Sequence, residues 1–152
     1  MDLEPIRRVV VGLDGSEHSR RALDWAVRIA RSADVEIVAV HALQTPIYTD
    51  YASVPPPEYD TRWRADVKHQ FENEWCRPLR EAGVSYRTMM EDGRAASVIA
   101  AVADQVDADI VIVGRRGRGG VAQLLLGSVS HELTQHCERP VLVISPSQAG
   151  TG

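Results

Sequence analysis

Two glycine-rich segments contain the residue types best suited to binding a ligand. The first covers residues 12–16 and reads Gly-Leu-Asp-Gly-Ser, and the second contains Gly114, Gly117 and Gly127-Ser128. Glycine lets a backbone turn sharply and approach a ligand closely. A helix that begins at Ser128 would also present unpaired N–H groups and the positive end of its dipole to an anion. The spacing is compatible with a phosphate-binding loop, and equally with a plain loop that has glycine turns and a serine cap.

Both segments follow apolar runs that predict buried strands. Four runs are nearly continuous in β-branched residues, which is typical of strands buried on both faces of a parallel sheet. They are Val9-Val10-Val11, Ile37-Val38-Ala39-Val40, Ile110-Val111-Ile112-Val113 and Val141-Leu142-Val143-Ile144. Residues 85–91 mix apolar and polar side chains and predict a weaker strand near a sheet edge.

Helical patterns separate these strands. Ser16 is the predicted N-cap of the first helix, and Pro78 is expected to kink or shorten the second. The apolar face of the first helix is Ala22, Trp25, Ala26, Ile29 and Ala30, that of the second is Val67, Phe71, Trp75 and Leu79, and that of the third is Ala96, Ile99, Ala100 and Ala103. A fourth helix is predicted from about Ser128 to His136. This alternation predicts an open α/β sheet with right-handed crossovers, in which ligands bind beyond the carboxyl ends of the strands. Residues 44–60 are expected to form an irregular stretch, either a flap near the site or a solvated connection.

The bulk composition narrows the class of protein. The 152 residues are 44% hydrophobic and 25% charged, as expected for one globular domain over 1–152 with a core at about 8–145 and flexible tails. No apolar run reaches the roughly 18 residues of a membrane span, and the N-terminus does not resemble a signal peptide, so we expect a cytoplasmic protein. The net charge of −4 argues against nucleic acid as a partner. Cys76 and Cys137 are expected to be reduced thiols, and no metal site is predicted.

The chain resembles the universal stress protein family. The family's ATP-binding signature is a glycine, two residues, a glycine, nine residues and Gly-Ser, and it is similar to Gly114, Gly117 and Gly127-Ser128 here. The opening strand with its acidic residue, and the second strand ending in a histidine and a small residue, are also similar. Asp107-Ala108-Asp109 and the final strand extend the resemblance from Arg8 to Ser145.

The resemblance implies an open five-stranded parallel sheet in the order 3-2-1-4-5 with helices on both faces, a fold of the adenine-nucleotide α-hydrolase type. It implies ATP as the ligand, with Mg²⁺ at most an indirect partner. The implied binding residues are Gly12, Leu13 and Asp14 along the adenosine pocket, Ala42 at adenine, Val113, Gly114 and Arg115 at the ribose, and Gly117, Gly127, Ser128, Val129 and Ser130 at the phosphates. Gly12-Leu13 stands where many members have a bulkier residue followed by valine or threonine, and Ala42 is smaller than the usual valine.

Several residues allow a second interpretation. Asp14 is expected to bind ribose or an ion beside the phosphates, or else to cap the first helix. His41, at a predicted strand end, could act as a base, but a hydrogen-bonded structural histidine is the favoured interpretation. Arg115, Arg116 and Arg118 form either a solvated charge run or a set from which one arginine reaches a terminal phosphate. The resemblance also implies a homodimer formed through the edge strand Val141–Ile144.

Three other functions would require residues that this sequence lacks or has only in weak form. A P-loop ATPase needs a lysine after its glycines, whereas the single lysine, Lys68, lies in the predicted second helix. No catalytic residues are evident, so at most slow ATP hydrolysis is expected; cyclic AMP is an alternative ligand of the same fold. A receiver domain would need a lysine at the end of the fifth strand, where Ser145-Pro146 stands. A flavodoxin-like FMN carrier would need a stronger loop after strand one.

Overall fold

The computed structural model describes residues 3–44, 50–116 and 126–145. Strands and helices alternate along them, as the sequence predicts. The elements are β1 (Arg8–Gly12), α1 (Glu17–Ser32), β2 (Glu36–Leu43), a 3-10 turn (Tyr51–Ser53), α2 (Pro57–Gln70), a π-helical turn (Phe71–Trp75), α3 (Arg77–Ala82), β3 (Tyr86–Asp92), α4 (Ala95–Gln105), β4 (Ile110–Gly114), α5 (Ser128–His136) and β5 (Val141–Ile144).

The five strands form one parallel sheet in the order β3-β2-β1-β4-β5. The predicted strand order is therefore confirmed. In the middle of the sheet, Val10 lies opposite Val38 of β2 and Val111 of β4. The strand predicted near an edge is β3, and β5 forms the other edge.

Helices cover both faces of the sheet. Val9 and Val11 of β1 belong to a cluster with Ala26 of α1, whereas Val10 belongs to the opposite cluster with Ile99 of α4. All three valines of β1 are fully buried. This explains why β1 reads as a continuous apolar run rather than an alternating one.

The amino ends of β1 and β4 are joined by a carboxylate. Asp109, just before β4, accepts hydrogen bonds from the backbone N–H groups of Arg7 (2.7 Å) and Arg8 (2.9 Å). These bonds, that of Arg7 first, lower the pKa of Asp109 below its usual value. This contact helps to fix the register of β1 against β4 at the amino ends of the two strands.

The irregular stretch predicted over 44–60 ends earlier than expected. A 3-10 turn lies at Tyr51–Ser53 and α2 begins at Pro57, so the prediction is wrong for residues 57–60. Proline is tolerated in the first helical turn, where its missing N–H would have no intrahelical partner. Residues 45–49 lie outside the described part of the chain.

The predicted second helix is divided in two. The helix widens into a π-helical turn at Phe71–Trp75, stops at Cys76, and resumes as α3 with Pro78 in its first turn. Proline lacks the N–H that would continue the ladder and its ring collides with the preceding turn. The expected break at Pro78 is thus confirmed. Among the described residues, no helix is long and apolar enough to cross a membrane.

Candidate functional site

The carboxyl end of β1 continues into a turn held against β2. The N–H of Leu13 donates to the carbonyl of Val40 (2.8 Å), which extends the β1–β2 ladder by one residue. The carbonyl of Leu13 then accepts a hydrogen bond from Nδ1 of His41 at 2.8 Å. Because a carbonyl can only accept, His41 has its proton on Nδ1 in this contact.

His41 also packs among aromatic rings. Trp75 meets it edge-on with ring centroids 5.0 Å apart, and Phe71 lies at 5.8 Å. Both rings come from the π-helical turn. The expected hydrogen bond of His41 is confirmed. His41 joins the end of β1 to the segment between α2 and α3, and it also lines the cavity described below.

The turn between β1 and α1 is closed by short polar side chains. Asp14 accepts a hydrogen bond from the N–H of Ser16 through Oδ1 at 2.9 Å. Ser16 accepts from the N–H of Ser19 at 3.2 Å, so the predicted N-cap is confirmed. Asp14 therefore shapes the turn before α1, and it also lines the cavity described below.

The backbone of Arg115 anchors the second glycine-rich segment. Its carbonyl accepts hydrogen bonds from the N–H of Gly127 and from the hydroxyl of Ser130, both at 2.7 Å. Its N–H donates to the carbonyl of Ile144 on β5 (2.9 Å). Ser130 is only 1% exposed, so its hydroxyl is a buried link between the end of β4 and the first turn of α5.

Gly114 is required by packing as well as by its place at the strand end. A Cβ added there would lie 2.6 Å from the backbone carbonyl carbon and oxygen of His18 in α1. Only a residue without a side chain allows α1 to approach β4 this closely. Gly127 has an ordinary φ of −70°, so its backbone conformation does not require glycine.

A cavity of about 600 Å³ opens beyond the carboxyl ends of β1, β2 and β4. Ten of the twelve predicted binding residues line it. They are Gly12, Leu13, Asp14, Ala42, Val113, Gly114, Gly127, Ser128, Val129 and Ser130. Arg115 does not line the cavity, whereas its neighbour Arg116 does. The backbone of Arg115 makes the links to α5 and β5 described above. Gly117 and Arg118 lie outside the described residues.

Sequence reasoning missed the contribution of α2 to the cavity. Trp63, Val67 and Gln70 of α2 line it, together with Trp75 of the π-helical turn. The signal was present, since Trp63 precedes Val67 by four positions and continues the apolar stripe that runs through Phe71. Helical spacing indicates that these residues share a face, but it does not indicate that this face borders a cavity.

The cavity is chemically different at its two ends. At one end, α5 begins at Ser128, so its first N–H groups have no intrahelical acceptor and the helix dipole is positive there. Arg116 lines the cavity as well. The other end lies beside β2, where the described lining includes Trp63 and Trp75. Asp14 is the only carboxylate among the described lining residues.

Two further features lie near this cavity. A second cavity of about 450 Å³ shares Leu13 and Trp75 with it, and its other lining residues include Glu17 and Arg20, which carry opposite charges.

Cys76, beside the π-helical turn, is fully buried, and burial raises the pKa of its thiol to about 12. The thiol stays protonated at neutral pH and is a packing group rather than a nucleophile.

Comparison with known proteins places these features in a family. A model of the universal stress protein family matches residues 5–145. The universal stress protein YxiE of Bacillus subtilis is 27% identical over 144 residues, which cover 90% of this chain and 97% of that protein.

Solved structures with the same fold include proteins with bound nucleotides. A universal stress protein in complex with cAMP aligns with a TM-score of 0.68 and 25% identity, covering 93% of this chain and 98% of its own. An Arabidopsis thaliana universal stress protein family protein with AMP bound aligns with a TM-score of 0.64 and 23% identity, covering 96% of each chain.

Proposed function

The chain belongs to the universal stress protein family, and on that premise we propose that it binds one ATP molecule in the cavity beyond β1, β2 and β4. Its role is that of a nucleotide-dependent regulatory module in a stress response. The observation that supports this most is the division of the cavity into an anion-binding end at α5 and an aromatic end beside β2. An adenine nucleotide has the same division, with phosphates at one end and a flat, largely apolar base at the other.

The phosphates belong at the first turn of α5. The N–H groups of Ser128, Val129 and Ser130 have no intrahelical acceptors, and the dipole there favours negative charge. Ser128 is exposed, so its hydroxyl can also donate to a phosphate. Gly117, by the family resemblance, completes this part of the site.

The nucleoside belongs across the strand ends. Gly12, Leu13 and Asp14 border the adenosine, and Val113 and Gly114 border the ribose. Ala42 offers backbone groups to the adenine edge, and Arg115 acts through its backbone, which fixes α5 against β4. The cavity volume of about 600 Å³ lies within the roughly 300–1,000 Å³ typical of small-molecule sites.

Magnesium enters this proposal only together with the nucleotide. Mg²⁺ is commonly held by one or two carboxylates, waters and substrate phosphates. Asp14 offers one carboxylate at the cavity, and its Oδ1 already accepts the N–H of Ser16. With one carboxylate at the cavity, Mg²⁺ would be bound mainly by phosphate oxygens and waters rather than by protein ligands.

A cyclic-nucleotide ligand is the second candidate. The relative of known structure that is 25% identical to this chain is in complex with cAMP. A cyclic phosphate would use the α5 end but would leave Arg116 without a terminal phosphate to bind. Slow hydrolysis of ATP in the same pocket is a further alternative, and it applies only if ATP is the ligand.

A homodimer through β5 is part of the proposal. Val141, Leu142 and Val143 are only partly buried within one chain, although they are apolar, and β5 is an edge strand. Pairing of two β5 strands across a two-fold axis would cover this edge. Light scattering at micromolar concentration should give twice the 16.7 kDa mass of one chain; a mass of one chain would contradict the dimer.

The nucleotide proposal is tested by mass spectrometry of whatever co-purifies with the protein, followed by competition among ATP, ADP, AMP and cyclic AMP. We expect ATP to be retained and to compete best. Preferential binding of cyclic AMP would select the second candidate. If none of the four nucleotides binds, the cavity has another ligand and the proposal is wrong.

A further inference from the structure

Helix α2 is unusual among the helices of this chain because none of its residues is buried. Most helices in proteins owe their stability to the packing of an apolar face rather than to helix propensity. The apolar side chains of α2 that could supply such a face, Trp63 and Val67, are half-buried and line the cavity. The inner side of α2 thus borders ligand space instead of the protein core.

The two ends of α2 are held differently. Its carboxyl end continues into the π-helical turn, where Phe71 is only 1% exposed and packs in the core. Its amino half is tied to the sheet through Arg64, whose Nη1 lies 2.7 Å from Oδ1 of Asp92 at the end of β3. Arg64 also pairs with Asp60 within the helix, at 3.0 Å. Hydrogen bonds to Asp92 first and Asp60 second raise the pKa of Arg64.

This arrangement places Trp63 at the aromatic end of the cavity, next to the residue that ties α2 to the sheet. Asp92 lies opposite Leu43 in the β2–β3 register, and Leu43 also lines the cavity. Arg64 therefore positions α2 over the strand end that borders the base in the proposed function. An aromatic side chain there can stack on any nucleobase.

We propose that Trp63 is a base-contacting residue and that α2 is a lid which packs down on the bound base, with the Arg64–Asp92 ion pair as its positioning contact. The inference rests on the proposed nucleotide function. The base supplies an apolar surface against which the half-buried Trp63 and Val67 can pack. Binding of nucleotide at α5 and ordering of α2 are then two parts of one event.

Tryptophan fluorescence offers a direct readout, because the chain has three tryptophans. Trp25 lies on α1, is 41% exposed and does not line the cavity. ATP should quench emission in the wild type and in Trp25→Phe, and this quenching should be smaller in Trp63→Phe, where Trp75 is the tryptophan left at the cavity. Trp63→Ala should weaken ATP binding by about tenfold, and Trp63→Phe should retain most of the affinity.

Hydrogen exchange of the α2 amides tests the lid. ATP should slow exchange in peptides that cover α2. Arg64→Gln should speed exchange in the ligand-free protein and weaken ATP binding by up to about fivefold, the range of an exposed ion pair. Lys68→Gln is the matched control, because it removes a positive charge from the same helix. Among the ion pairs of the described residues, Lys68 takes part only in the one with Glu72. The Lys68→Gln variant should change neither quantity.

Isothermal titration with ATP distinguishes failure of the lid inference from failure of the proposed nucleotide function. If ATP binds Trp63→Ala with wild-type affinity and leaves α2 exchange unchanged, the lid inference is wrong and the nucleotide function stands. If ATP does not bind the wild-type protein, the proposed function and the lid are both wrong. Circular dichroism should show that all variants are folded, since Trp63, Arg64 and Lys68 lie on a helix that buries no residue.

Discussion

Replacing Gly114 by alanine should destabilise the protein because of α1, independently of any ligand. The added Cβ would lie 2.6 Å from two backbone atoms of His18 and 2.8 Å from its Cβ. An ordinary contact begins at 3.4 Å, so α1 and β4 would have to separate by about 0.8 Å (3.4 − 2.6). The two nearest atoms belong to the backbone of His18, so a change of side-chain rotamer cannot relieve the contact.

Gly12→Ala is the matched control. Its added Cβ would lie 2.7 Å from Cδ1 of Ile99, the end of a flexible side chain, and 3.3 Å from Cγ1 of Val113. A terminal methyl group can move by a rotamer adjustment, so we expect a cost of about 1 kcal/mol or less. Gly114→Ala should cost about 2–3 kcal/mol, the upper part of the range for overpacking.

Urea unfolding of the nucleotide-free proteins measures both costs directly. For a chain of this length, about 2–3 kcal/mol corresponds to a decrease in Tm of roughly 4–12 °C. A Gly114→Ala protein within about 0.5 kcal/mol of the wild type would refute the reasoning. So would a larger loss of stability in Gly12→Ala than in Gly114→Ala.

Two further predictions concern charged groups. Arg116→Gln should weaken ATP binding by about tenfold and leave AMP binding nearly unchanged, because a charge-assisted bond to a β- or γ-phosphate is lost. Competition titrations measure both affinities. Equal losses for the two nucleotides would place Arg116 away from those phosphates. Asp109→Asn should lower the free energy of unfolding near pH 7 by less than about 1 kcal/mol, since the carboxylate is exposed and screened. The folded-state pKa of Asp109 is depressed, so its contribution is present above the unfolded value of about 3.9 and is lost as pH falls through the lower folded value. Urea unfolding from pH 7 to pH 3 should show the two proteins converging at the acid end; a difference that stays constant with pH would contradict this.

Much of the fold is predictable because buried parallel strands have a strong sequence signature. The valine-rich run of β1 and the runs of β2, β4 and β5 mark strands that the structure contains. Helix α5 has the predicted bounds Ser128–His136, since Gly127 precedes it and Pro140 follows it. The start of α2 was not predictable in the same way, because Pro57 reads equally well as a loop residue and as the first residue of a helix.

The candidate site is predictable where its residues follow strands, and not where they come from elsewhere. Gly12 and Ser128 adjoin recognisable strand or helix ends. Trp63 reaches the cavity through a tertiary arrangement that local spacing does not encode. Gly114 is a different case. The sequence shows a glycine after a predicted strand, and only the structure shows that the backbone of His18 leaves no room for a side chain there.

Isothermal titration of ATP into nucleotide-free protein at low salt, with Gly127→Val beside the wild type, tests the nucleotide site most directly. Gly127 has φ −70° and ψ 168°, a conformation open to valine, so the variant should fold while its side chain fills phosphate space. The account predicts one ATP per wild-type chain and no measurable binding to folded Gly127→Val. Wild-type protein that gives no heat and shows no competition by ATP, or Gly127→Val with undiminished affinity, would contradict it.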